Sequence, residues 1–238
     1  MEPNIPNTTA STTNINPINQ APDASPILSQ WPGAFGIYKT SKAAITSNLV
    51  SFISLWVIIG LISILFSTIS SRFKSGPTYY LLEFIFNMIS LIISATLIYA
   101  IIESVKGKKV TVGDAYSAIS SKMLNVLLVN ILVAFLSILS IVVFIIPAFF
   151  VIPRIYMSIY FVMDKNMSAI DAIKASWNAT EHHIGKIYGI FGVELLIILP
   201  AITIIGIVAT IYFGIMYYAA TGVLYAYLTN NRSQIDAI

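Results

Sequence analysis

Four stretches of this chain stay apolar for the length of a membrane crossing, and they decide what it can fold into. They run from Leu49 to Ile69, Tyr79 to Ile102, Met123 to Met163 and Ile184 to Leu228. A spanning helix needs roughly 20 mostly apolar residues. Composition agrees with that reading: 57% of the 238 residues are hydrophobic and 10% are charged. A soluble domain carries about 25% charged residues. With a mean hydropathy of +0.85, so much apolar surface has its natural solvent in the bilayer.

Two of the four runs are too long for one crossing. Met123 to Met163 is 41 residues. As one helix it would extend ~60 Å, about twice the hydrocarbon thickness. Pro147, followed by Pro153, places a reversal around Phe144 to Ala148. Pro200 and Gly206 do the same for the last run. The expectation is an all-α, polytopic protein with six transmembrane helices at about 49–69, 79–102, 124–144, 146–164, 184–203 and 207–229. Residues 1–30 are rich in Asn, Thr, Pro and Ser, carry no signal-peptide pattern and read as a disordered tail. The membrane domain then covers 31–230, and 231–238 form a short C-terminal tail.

Orientation follows from the basic residues in the loops. With six spans, ten Lys and Arg fall on one side: Lys39, Lys42, Lys106, Lys108, Lys109, Lys122, Lys165, Lys174, Lys186 and Arg232. Only Arg72 and Lys74 fall on the other. Both termini are therefore expected in the cytoplasm, and the protein in the plasma membrane. The absence of cysteine rules out disulfides and thiolate chemistry. No basic stripe points to nucleic acid.

A pattern recurs between the spans. Thr111-Val-Gly-Asp114-Ala115-Tyr-Ser-Ala118 and Ser168-Ala-Ile-Asp171-Ala172-Ile-Lys-Ala175 match at an offset of 57 residues. Each opens with a [ST]-x-x-D helix cap, in which hydroxyl and carboxylate satisfy free N–H groups. In the second copy Asp171, Lys174 and Asn178 share one helical face, and Ile170, Ile173 and Trp177 another. The first copy sets Asp114, Ser117 and Ser121 against Tyr116, Ile119 and Met123. Both read as amphipathic helices lying in the cytoplasmic interface. A third segment, around Phe35 to Thr46 ahead of the first span, matches the pattern poorly in its residues; with it the expected plan is three units, each a surface helix followed by a hairpin. The alternative is that capped, Ala-rich helices are common and the offset is accidental.

The segment Pro147-Ala148-Phe-Phe-Val-Ile-Pro153-Arg154, followed by Asp164, Asp171, Ala172, Ser176 and Trp177, resembles the membrane domain attached to some bacterial glycerophosphoryl diester phosphodiesterases. Free-standing membrane proteins related to that domain share the pattern. It has a Pro-Gly pair entering a helix, a basic residue, an Ala-x-x-x-Ser surface helix and a Gly-containing span. The match covers about 111–205, and Ala148 stands where the pattern prefers Gly. No barrel-length soluble segment is present, so the hydrolase activity does not carry over. The resemblance implies a six-span membrane domain of unassigned function, and with the Ile- and Asn-rich usage it suggests a bacterial source.

Arg154 is the only basic residue deep in an expected span, and Glu194 lies about as deep in the next. An unpaired charge there costs roughly 2.5 to 3.5 kcal/mol on insertion scales. The two are expected to pair, or to line one polar cavity, as a substrate or proton site or as a structural ion pair. Glu83 and Glu103, near span ends, are expected to be solvated. Asn87 and Asn130 are expected to bond between helices. Glu181-His182-His183 lacks metal-site spacing, and neither a metal nor a cofactor is expected. Gly185, Gly189 and Gly192, and Gly206, Thr210 and Gly214, form small-residue stripes suited to close packing.

No protease dyad, triad or metal motif lies in the spans, so an enzyme is not expected. The favoured reading is a non-enzymatic membrane module that contacts lipid or a partner protein, of unstated oligomeric state. The alternative is a small transporter of solute or lipid using Arg154 and Glu194.

Overall fold

A computed structural model describes residues 31–235, apart from positions 74, 144 and 203. The expected disordered tail, 1–30, and the last three residues of the C-terminal tail lie outside the described residues. Every regular element among the described residues is helical. In order these are α1 (Gly33–Ser47), α2 (Leu49–Ser70), α3 (Pro77–Val105), α4 (Val112–Ser120), α5 (Met123–Val143) and α6 (Ile145–Ile155). Then come α7 (Ser158–Lys165), α8 (Ala169–Ala179), α9 (Ile184–Ile198), α10 (Ile204–Tyr217) and α11 (Ala220–Ile235). A 3-10 turn, Leu199–Ile202, joins α9 to α10.

Four helical stretches are long and apolar enough to cross a membrane: Leu49–Ser70, Pro77–Val105, Met123–Val142 and Gly206–Asn230. The last runs through the bend at Tyr218–Ala219 between α10 and α11. The other two expected spans take a different form. Residues 146–164 are split into the 11-residue α6 and the 8-residue α7. Residues 184–203 form the 15-residue α9 and its 3-10 extension.

The breaks have local causes, and side chains from neighbouring helices answer three carbonyls beside them. Pro153 sits inside α6 and has no N–H to give to the Phe149 carbonyl. The Tyr188 hydroxyl of α9 donates there instead, at 2.6 Å. Past Ile155 the helix ends, and the Arg154 carbonyl accepts from Ser176 Oγ at 2.6 Å. Where α9 tightens toward Pro200, the Ile197 carbonyl accepts from Thr210 Oγ1 at 2.9 Å.

Burial is uneven. The core gathers the second half of α3 (Ala95 to Val105), α7, α11 and one face of α1. Gly222 lets α11 approach α3 so closely that an added Cβ would lie 2.2 Å from Ile101 Cγ2. By contrast, the far half of α2 and the near half of α3 leave Leu61, Ile64, Leu65, Leu81 and Phe84 exposed. Phe66 and Phe86 stack there at 4.1 Å.

The short helices have a regular place. α4 packs on α3, and α8 packs on α7, α5 and α6, while α1 packs against α9, α10, α11 and α3. Ala115 of α4 and Ala172 of α8, matching positions of the sequence pattern, are both fully buried. Small residues seat these helices closely, leaving Tyr116, Ile170 and Trp177 exposed beside the polar face. On the apolar face that Ile119 shares with Tyr116, Ile119 is in the core.

Candidate functional site

Two polar regions have distinct geometry. The first is a charged end, where α3 and α7 finish and α2 and α5 begin. α3 closes with Gly107 at φ +77°, and the Gly107 and Lys108 N–H groups return to the Ser104 and Glu103 carbonyls at 3.0 and 2.9 Å. That paired return satisfies the last carbonyls of the helix and turns two lysines back on Glu103. Lys106 Nζ reaches Glu103 Oε1 at 2.9 Å, and Lys108 Nζ reaches Oε2 at 2.6 Å. Lys106 also pairs with Asp164 at the end of α7. The second oxygen of Asp164 accepts from the Tyr225 hydroxyl at 2.8 Å. Lys122, ahead of α5, donates to the Met163 carbonyl at 2.5 Å.

Asn48 binds the same end together. Its amide donates to Ser104 Oγ at 2.9 Å and to the Lys108 carbonyl at 2.8 Å, and its oxygen accepts from the Val110 N–H at 2.9 Å. Burial alone would depress Lys106, but its bonds to Asp164 and Glu103 outweigh that and raise it above the ordinary 10.5. Lys122 is pushed the other way, because burial outweighs the pull of Asp164 and Glu103. Each of these charges is answered by an opposite charge or a directed hydrogen bond, which is the chemistry of a fastening. Glu103 is thus buried and doubly paired, where the sequence suggested a solvated carboxylate.

The second region is a cavity of about 360 Å³ lined by Tyr156, Glu194, Thr210, Gly214, Tyr217 and Tyr218, with Ile197 and Ile198. Glu194, Ile197 and Ile198 come from α9, Tyr156 from the α6–α7 break, and the rest from α10 and the bend after it. No hydrogen bond or ion pair reaches the Glu194 carboxylate among the described residues.

Arg154 does not join it. Its guanidinium lies over the Trp177 ring of α8, 4.7 Å from the centroid, and it does not line the Glu194 cavity. The expected pairing assumed a straight helix through residues 146–164. The break at Tyr156–Met157 removes that assumption, and Ser176 holds the Arg154 backbone against α8.

The caps form as bonded pairs. Thr111 Oγ1 accepts from the Asp114 N–H at 3.1 Å, and Asp114 Oδ2 accepts from the Thr111 N–H at 3.1 Å. Ser168 Oγ accepts from the Asp171 N–H at 3.3 Å and donates to Asp171 Oδ2 at 2.6 Å. Hydrogen bonds from Thr111 hold the Asp114 carboxyl below its ordinary value. Asn87 and Asn130 donate to their own helices, to the Glu83 and Val126 carbonyls at 2.7 and 2.8 Å, and not between helices. Of the small-residue stripes, Gly189 makes a close approach: a Cβ added there would lie 3.2 Å from Ala34 Cβ, while one added at Gly185 or Gly192 would meet nothing within 4 Å.

Sequence reasoning missed the Glu103–Lys106–Asp164 cluster, Asn48, Tyr188 and Gly222. A tally of acids at loop ends, Glu103 and Asp164 beside Lys106, Lys108 and Lys165, was the available signal. No family model, curated protein or solved structure matches the chain.

Proposed function

We propose that this chain is a multi-pass membrane module of three units, each a short interfacial helix followed by a membrane-embedded helical hairpin. It works by holding lipid or a partner protein and not by catalysis. On this reading six helical segments enter the bilayer, both termini face the cytoplasm, and the protein sits in the plasma membrane.

One observation carries the six-segment reading: Asp164 meets Lys106. Lys106 caps the end of α3 and α5 leaves from that end, so the chain between Val143 and Asp164 comes back to it through α6 and α7. With four crossings alone, Lys165, Lys174 and Lys186 would lie opposite Lys106; with six they share its side, as the basic-residue bias favours. The matched caps and buried alanines of α4 and α8 support the repeat. The likeness of 111–205 to the phosphodiesterase-linked membrane domain enters only as a non-hydrolytic membrane domain. A transport site built jointly from Arg154 and Glu194 is not favoured, because Arg154 turns to Trp177.

The exposed apolar edge of α8, Ile170 and Trp177 beside Asp171 and Lys174, is the surface offered to lipid or partner. Because the chain has no cysteine, single cysteines report sidedness cleanly. Cysteines at Ser75 and Glu181 are expected to label from opposite sides of sealed cells, Glu181 from the cytoplasm. Labelling of both from outside would sink the six-segment topology. Native mass spectrometry should then show fewer retained lipids or partners for Ile170→Asp with Trp177→Asp; unchanged retention would remove α8 from the reading.

A further inference from the structure

We propose that the Glu194 cavity is a binding site for a hydrophobic organic cation, such as a lipophilic ammonium or phosphonium ion. This goes beyond the module reading, rests on its placing of α9 in the bilayer, and stands whichever lipid or partner the interfacial helices hold.

Among the described residues Glu194 is the one charged group lining the cavity, beside the hydroxyls of Tyr156, Thr210, Tyr217 and Tyr218. The Thr210 hydroxyl is used at Ile197, and the Tyr217 hydroxyl donates to the Ala34 carbonyl at 2.8 Å. Among the described residues no lysine, arginine or histidine lines the cavity. The Glu194 carboxylate is therefore left to a ligand, and an embedded carboxylate without a counter-charge is costly. Glu194 stands ten residues along α9 from Ile184, about 15 Å at the helical rise.

The walls select the kind of cation. A hard metal ion takes about six or more oxygen ligands, and a single carboxylate among tyrosines does not supply them. Aromatic rings attract an organic cation through their negative faces. Tyr156 and Tyr218 are held in place from behind: Tyr156 makes an edge contact with Phe191 at 5.2 Å, and Tyr218 with Trp56 at 5.7 Å. The volume of about 360 Å³ falls at the small-ligand end of known sites, which run from roughly 300 to 1,000 Å³. Leu195 and Ile198, beside Glu194 on α9, are exposed and apolar, so the approach is through lipid. That favours a cation carrying its own hydrophobic body.

Tetraphenylphosphonium binding to the purified full-length protein in detergent, measured by equilibrium dialysis against empty micelles, tests the site. Saturable binding at one site is expected. Glu194→Gln should weaken it at least tenfold, roughly the worth of one charged contact. Tyr218→Leu should weaken it about threefold to tenfold, while Tyr218→Phe, which keeps the ring, should not. The melting temperature of each variant separates loss of the site from loss of the fold. If Glu194→Gln does not fold, the Tyr218→Leu and Tyr218→Phe contrast decides alone. Binding no better than to empty micelles, or equal binding by the wild type and Glu194→Gln, would overturn the proposal, as would equal effects of Phe and Leu at Tyr218.

Discussion

The charged end and the Glu194 cavity hold carboxylates under opposite terms. At the charged end Glu103 takes two lysines, and Asp164 takes a lysine and a tyrosine hydroxyl. In the cavity Glu194 has tyrosines around it and no bonded partner among the described residues. The difference teaches where this fold spends its polar groups. Fastening four helix ends uses fully answered charges, because removing one partner of such a pair strands the other. A group left unanswered adds nothing to the fold and remains free to take a ligand.

The largest effect should follow from opening the fastening. Asp164→Asn leaves Lys106 with Glu103 alone and weakens the Tyr225 contact. Because Lys106 keeps about a third of its side chain exposed, a loss of about 2–3 kcal/mol is expected, within the range for bonds to charged groups. Unfolding in mixed micelles measures it, and a loss below half a kcal/mol would break the comparison.

Gly222→Val tests packing next to the fastening. The added methyls meet Ile101, and overpacking costs typically about 1–3 kcal/mol. Removing the hydroxyl in Tyr188→Phe leaves the Phe149 carbonyl orphaned by Pro153, and about 1 kcal/mol should be lost. If Tyr188→Phe unfolds like the wild type, water or a rearranged helix satisfies that carbonyl.

The smallest effect is a pH dependence. Lys106 is raised in the folded state, so its contribution is full below its ordinary value of 10.5 and is lost as pH rises through the higher folded value. The stability gap between wild type and Lys106→Met should therefore hold steady through neutral pH and close only in strong alkali. A gap that closes near neutrality would mean Lys106 is not held by its acids.

Helix content, the membrane-length runs and both caps were legible because each is local. Twenty apolar residues, or a Thr three residues ahead of an Asp, declare themselves without reference to distant chain. The partner of a charge is not local. Lys106 finds Asp164 across 58 positions, and Arg154 finds Trp177 because Pro153 and the break after Ile155 redirect the chain. Depth counted along a straight helix fails when the helix is not straight. For the same reason Glu103 looks solvated in the sequence: its place at a helix end is local, but the partners that the Gly107 turn brings back to it depend on how the chain turns.

Glu194, unlike Asp164, is not part of what holds the fold together. The direct test is the unfolding free energy of Glu194→Gln beside that of the wild type in the same micelles, with no ligand added. Stability equal to or above wild type is the predicted result, because an embedded charge without a counter-ion is removed. A loss comparable to that of Asp164→Asn would contradict the claim and make Glu194 a structural group.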